Sequence, residues 1–177
     1  MINVRNESAE VLYPLEDIVV VRDGDLHELK RLALLNPRQR IRYCAHRSLD
    51  DSQHEMFIVH TKDCYVRPHK HLGKAESMTI LEGEVDVVLF DEDGTLRKTI
   101  SMAAQNSGKA FYQRLSDPIY HTLIIRTDFL VFHEITEGPF VRGDTVFPKW
   151  APAEQGEDSM RFIERIKLQI RNREEQS

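Results

Sequence analysis

The chain has 177 residues, 41% hydrophobic and 30% charged, with a formal net charge of -5 at pH 7. That length fits one domain with flanking extensions, and that composition can bury a core. The acidic balance argues against a general pull toward nucleic acid or anionic membrane, and no apolar run is long enough to span a bilayer. No N-terminal stretch joins a basic head, an apolar core and a small-residue cleavage site, so a cytoplasmic protein is expected. Cys44 and Cys64 have neither zinc-ribbon nor C-x-x-C spacing and are expected to be reduced thiols.

Residues 1–17 are mixed and polar, without a clear period. Ile18–Val21 is a short apolar run before the Asp23-Gly24 turn signal and predicts a brief strand. Asp25 reads as an N-cap. Leu26, Leu29, Leu32, Ala33 and Leu35 then follow helical spacing until Asn36-Pro37 stops it. Arg38–Arg47 alternates as a strand does, with Arg38, Arg40 and Arg42 on one face and Ile41, Tyr43 and Ala45 on the other. Such arginines read as a solvated surface or, if the strand borders a pocket, as a grip on an anion such as a phosphate or sugar nucleotide. His46 falls where this strand gives way to the polar SLDDS loop.

Glu55–His60 and Cys64–His71 predict the next strands. On the second, Tyr65, Arg67, His69 and His71 share a parity. Arg67 therefore reads either as an anion holder or as a rim arginine paired with a carboxylate. Glu76–Leu81 and Glu84–Phe90 read as a hairpin about Glu82-Gly83, and Asp91–Gly94 makes a second hairpin turn into Thr95–Met102. Asn106-Ser107-Gly108 turns before Ala110–Leu115, and His121–Arg126 and Asp128–Ile135 are the last strands. Short strands at intervals of roughly ten residues predict a sandwich or jelly-roll barrel, a fold that holds ligands in its mouth. Pro148–Glu154 reads as an irregular segment across the barrel. From Asp158 an amphipathic helix follows, with Met160, Ile163, Ile166 and Ile170 as its apolar stripe and Phe162 beside it.

The most specific stretch is PHKHLGKAESMTILEG, residues 68–83. An extended His69–His71 puts both imidazoles on one face, and a loop through Gly73 lets Glu76 return on a neighbouring strand. Two imidazoles and a carboxylate suit one divalent transition metal, with iron, zinc, manganese and nickel all admissible. Shuffling this composition would give the spacing in roughly one chain per thousand. It resembles the first motif of the cupin family. The second cupin motif is matched only in part: Pro118 and His121 stand in place, whereas its inner glycine, the Gly108 spacing and the closing asparagine do not. Position makes His121 the fourth ligand, with Leu123 and Ile125 as core-facing companions.

Within the cupins, the order of pieces resembles the WbuC family. These pieces are the Arg38–His46 strand, SLDDSQHEM, YVRPHKH, the LEG turn with VVLFDEDG, YHTLI, HEITEGPF and PKWAPAE. The resemblance implies an all-β cupin jelly-roll barrel over residues 38–154, between an N-terminal extension (1–37) with one short helix and a C-terminal amphipathic helix (155–177). It implies a metal on His69, His71, Glu76 and His121, and a setting among polysaccharide and O-antigen sugar biosynthesis. Strand parity leaves His133 and Glu134 as alternatives facing the pocket, and the resemblance favours Glu134.

The expected function is that of a metal-dependent isomerase or epimerase acting on small, carbohydrate-related substrates, anionic ones included. Glu134 or Tyr120 would move protons, while Arg67, Tyr43, His46 and His133 are the candidate substrate contacts. An Fe(II) dioxygenase, a metal-free epimerase and a non-catalytic small-molecule or metal binder are the alternatives. Sheet edges and terminal helices would suit a homodimer.

Overall fold

The computed structural model describes residues 3–153 and 155–175. Glu154, the expected end of the barrel, and residues 176–177 of the expected helix lie outside the described residues. Period-two patterning generates the strands β1 (Val4–Asn6), β2 (Val11–Pro14), β3 (Arg40–Cys44), β4 (Gln53–Thr61), β5 (Lys70–His71) and β6 (Glu76–Glu82). After them come β7 (Glu84–Phe90), β8 (Leu96–Ala103), β9 (Tyr112–Leu115), β10 (Tyr120–Ile125), β11 (Phe129–Glu137) and β12 (Thr145–Val146). Helix α1 spans Asp23–Leu35 and α2 spans Glu157–Glu174.

A seven-stranded sheet in the order β1-β2-β3-β4-β11-β6-β9 faces a three-stranded sheet, β10-β7-β8, and β12 pairs with β5 beside them. This is the jelly-roll sandwich expected of a cupin. Alternation sorts each strand between two environments. Met56 and Ile58 of β4, Met78 and Ile80 of β6, and Phe132 of β11 point inward to meet Val85, Val87 and Leu89 of β7 and Leu123 and Ile125 of β10. Their neighbours point outward. Ile41, Tyr43, Val59 and Val131 pack under Leu29 and Ala33 of α1, while Val88, Phe90, Tyr120 and Ile124 pack under Phe162, Ile166 and Ile170 of α2. A helix on each outer face explains why all six residues of β10 are buried.

Several local expectations change. Glu76–Leu81 and Glu84–Phe90 are not a hairpin, because β6 belongs to the large sheet and β7 to the small one. Gly83 carries the chain between them at φ +87°, and a Cβ there would stand 2.2 Å from the Phe129 carbonyl oxygen, so a side chain is excluded. Ile18–Val21 forms no strand; Val19 and Val21 instead pack beneath α1. Asp25 is the third residue of α1 rather than its cap, and its carboxylate accepts the Arg22 backbone N–H at 3.0 Å. Of the Cys64–His71 strand only β5 pairs along a ladder, with His69 bridging to His121. On α2, Met160 is 62% exposed and Phe162 takes its place in the buried stripe. The polar first seventeen residues conceal β1 and β2, which extend the large sheet past β3.

Candidate metal centre

The centre is assembled by backbone pairing. His69 and His121 exchange N–H···O bonds of 3.1 and 2.9 Å, setting the two residues side by side across the seam of the small sheet. The β5–β12 ladder places His71 opposite Thr145. Glu76 enters β6 opposite Thr136. That entry is fixed because the Ala75 N–H donates to Glu137 Oε2 at 2.8 Å and the Thr136 hydroxyl donates to the Ala75 carbonyl at 3.0 Å.

Each imidazole has one nitrogen engaged. His69 Nδ1 lies 2.8 Å from the Arg67 carbonyl oxygen, His121 Nδ1 lies 3.0 Å from that of Ile119, and His71 Nδ1 lies 3.2 Å from the Thr145 hydroxyl. These contacts fix the ring orientations and leave the Nε2 atoms to converge, the outer support that metal-binding histidines require. The three histidines offer ligand atoms within 4.8 Å of one another. Glu76 lies among them, with Oε1 3.0 Å from His121 Nε2 and Oε2 3.1 Å from His71 Nε2. The donor set fits a divalent cation of the first transition row.

Burial pushes the His69 imidazole down to about 3, aided by the charge of His121, so it stays neutral as a ligand must. Burial also opposes charge on His121, but the Glu76 carboxylate and the Ile119 carbonyl outweigh it and raise that imidazole. The same contact, with further hydrogen bonding from His71, holds the Glu76 carboxyl well below its ordinary range despite burial.

The ligands open onto a cavity of about 480 Å³ between the two sheets, within the range of small-molecule sites. Glu134 faces into it, which resolves the parity question. It stands on one rung of the large sheet with Cys44, Met56, Met78 and Gln113. Burial and the nearby Glu76 carboxylate push its carboxyl up to about 8, against the pull of Arg42 and His121. Glu134 thus holds a proton more firmly than an ordinary carboxyl does, in the same cavity as the histidine cluster.

Arg67 also lines the cavity. It donates to the Pro148 carbonyl at 3.3 Å and lies over the Phe147 ring at 4.7 Å, with no carboxylate partner among the described residues. His46 lines the cavity wall, its ring stacked on His54 at 4.0 Å and burial lowering its pKa. The three remaining candidates are placed elsewhere by strand parity. Tyr43 faces α1, Tyr120 faces α2 and Trp150, and His133 stacks on Phe57 at 4.8 Å with Nε2 3.5 Å from Glu55 on the outer side of the large sheet. None of these three lines the cavity.

Sequence reasoning grouped Arg42 with Arg38 and Arg40 as surface or anion-gripping arginines without singling it out, and it passed over His54, His60 and Gln113 altogether. The available signal was alternation in β4, where His54, Met56, Ile58 and His60 share the inward face. Cys44 also lines the cavity, burial pushing its thiol up to about 11, an unreactive value.

A family model described as a domain of unknown function, DUF6016, matches residues 21–102. That span includes His69, His71 and Glu76 but ends before His121 and Glu134. No curated protein matches the sequence. Among solved structures, protein SO0799 from Shewanella oneidensis is similar in fold, with a TM-score of 0.50 at 10% identity over 60% of this chain and 72% of that one. Oxalate decarboxylase from Lactobacillus farciminis, solved as a formate complex, aligns at 15% identity with a TM-score of 0.44 over 55% of this chain. The Bacillus subtilis oxalate decarboxylase, described for its Mn(II) centres, aligns at 17% with a TM-score of 0.44 over the same share. This chain spans only 27% and 24% of those two decarboxylases.

Proposed function

We propose that this metal-binding cupin is an isomerase or epimerase acting on a small carbohydrate-related substrate. The observation that carries the reading is that the buried Glu134 faces the same cavity as a converging histidine and carboxylate set, in a space of small-molecule size. His69, His71, His121 and Glu76 would hold a divalent ion, which would supply Lewis-acid polarisation of substrate oxygens. Glu134 moves a proton to or from the carbon beside the polarised group. Arg67 orients the substrate, and the two facing sheets limit water. The WbuC-like segments support a setting in polysaccharide sugar metabolism.

The test is hydrogen–deuterium exchange, followed by NMR, at the carbon next to the carbonyl in a panel of aldoses, ketoses and their phosphates. The metal-loaded protein should exchange at least one of them. Glu134→Gln should keep its metal and lose the exchange. Exchange that survives Glu134→Gln removes Glu134 from the mechanism. Oxygen uptake without exchange would replace the reading with dioxygenation.

A further inference from the structure

We propose that the end of the cavity around Arg42 is an anion subsite, so that the ligand is a hydroxylated carbon chain with a carboxylate or phosphate at the end remote from the metal ligands. This rests on the metal-centre reading only for where the other end of the ligand goes.

Arg38, Arg40 and Arg42 all line the cavity, and the first two share one carboxylate. Arg40 Nε lies 2.8 Å from Glu10 Oε2, and Arg38 Nη1 lies 3.3 Å from the same oxygen. Arg42 has no carboxylate partner and no side-chain hydrogen bond among the described residues, and its Nε is buried without a partner. Six buried side-chain polar atoms lack partners among the described residues, and five belong to residues lining this cavity: Arg42, His54, His60, Arg67 and Gln113. Unpaired polar atoms, two of them guanidinium nitrogens, thus concentrate where a ligand would go.

Arg42 pairs with Ile58, so His60, two residues on, is its diagonal neighbour on the same face. Burial and the charges of Arg40 and Arg42 push the His60 imidazole down to about 3. It stands there as a neutral ring with Nδ1 unpartnered, able to give one hydrogen bond to an oxyanion. A guanidinium fork with a neutral donor beside it suits the paired oxygens of a carboxylate or phosphate. Arg42 on β3 and Glu76 on β6 are separated by β4 and β11 and stand four residues apart in register, so roughly 14 Å across the strands and about 13 Å along them lie between their backbones. Met56, Ile58, Met78 and Phe132 line the cavity between them. The two poles are too far apart for one carboxylate to serve both, and the apolar floor suits the carbon chain that joins two polar ends.

The test is calorimetric titration of chelator-treated full-length protein with inorganic phosphate and with acetate, so that a metal is not needed for the readout. One site is expected, and whichever anion binds more tightly identifies the terminal group. Arg42→Gln should weaken it at least about tenfold, the loss of a charge-assisted pair, while Arg67→Gln changes it less than about threefold. Should Arg42→Gln fail to fold, Arg42→Lys tests the fork by itself and should lose part of the affinity. On metal-loaded protein, dicarboxylates from malonate to pimelate should bind best at an intermediate length, and Arg42→Gln should remove that preference. Phosphate and acetate both failing to bind, or wild-type affinity in Arg42→Gln, or equal losses in the two glutamine variants, would overturn the subsite. A protein that takes up no metal yet binds phosphate through Arg42 would overturn the metal reading and leave the subsite standing.

Discussion

At the metal end of the cavity, each histidine has one nitrogen on a carbonyl or hydroxyl and Glu76 bridges two of the others. At the Arg42 end, a guanidinium nitrogen and the Nδ1 of His60 have no hydrogen-bond partner among the described residues. A buried polar group left unpaired costs roughly 1–3 kcal/mol, so the second arrangement destabilises the empty fold where the first does not. The difference separates two kinds of site. The metal end is assembled in advance by its own hydrogen bonds, whereas the Arg42 end is completed only by what enters it.

The largest effect should come from dismantling the assembled end. Glu76→Gln and His121→Ala should each lower metal affinity by at least about a hundredfold, with the fold retained, as measured by metal content after purification without chelator or nickel resin. Stoichiometric metal in both variants would show that these side chains are not ligands. Next comes acid sensitivity at the other end. His60 is neutral when folded down to about pH 3, while the unfolded chain takes up its proton near pH 6.5. Its contribution is intact above pH 6.5 and is lost as pH falls from there toward 3, roughly 3 kcal/mol by pH 4. His60→Leu should therefore have a flatter denaturant midpoint between pH 6.5 and 4; an unchanged slope would mean that His60 protonates without unfolding.

A smaller change should follow removal of the support behind one ligand. Thr145→Val frees His71 Nδ1 and should weaken the metal about tenfold, read by competition with a chromophoric chelator. The same competition at several pH values should show affinity falling with pH, since the cation displaces the proton shared by His121 and Glu76. The smallest effect belongs to an arginine already paired at the surface. Arg38→Gln should change stability by less than about 0.5 kcal/mol and leave anion binding alone. A loss like that of Arg42→Gln would erase the distinction drawn among the three arginines.

The convergence of His69, His71 and Glu76 was legible in the sequence because they are close in sequence and their spacing is imposed by strand geometry. His69, His71 and Glu76 lie on one short turn of chain, so two periods and a loop suffice to bring them together. Glu134 was legible only as one of two neighbours, since parity names a face without saying which face is inside. Tyr43 and Tyr120 show why: each is buried, but against a helix on the outer side of its sheet. No strand pattern announces that a helix will cover it there. Arg42 could be read only as one of three arginines for a related reason, because the partnering of Arg38 and Arg40 depends on Glu10, some thirty residues earlier, beside a strand that the polar N-terminal segment hid. The expected β6–β7 hairpin failed at Gly83, where a tight glycine turn serves a change of sheet as readily as a hairpin.

Trp150 is the chain's single tryptophan. Its indole meets Tyr120 edge-on at 5.7 Å and Phe90 at 5.1 Å, and its Nε1–H donates to the Glu92 carbonyl at 3.0 Å. Tyr120 precedes His121 on β10, so the fluorophore lies against the back of the strand whose front carries a ligand. The protein thereby contains its own optical gauge of that strand. A metal-induced change in emission would report that β10 shifts on loading, and a constant spectrum would report a ligand set held rigid before the cation arrives.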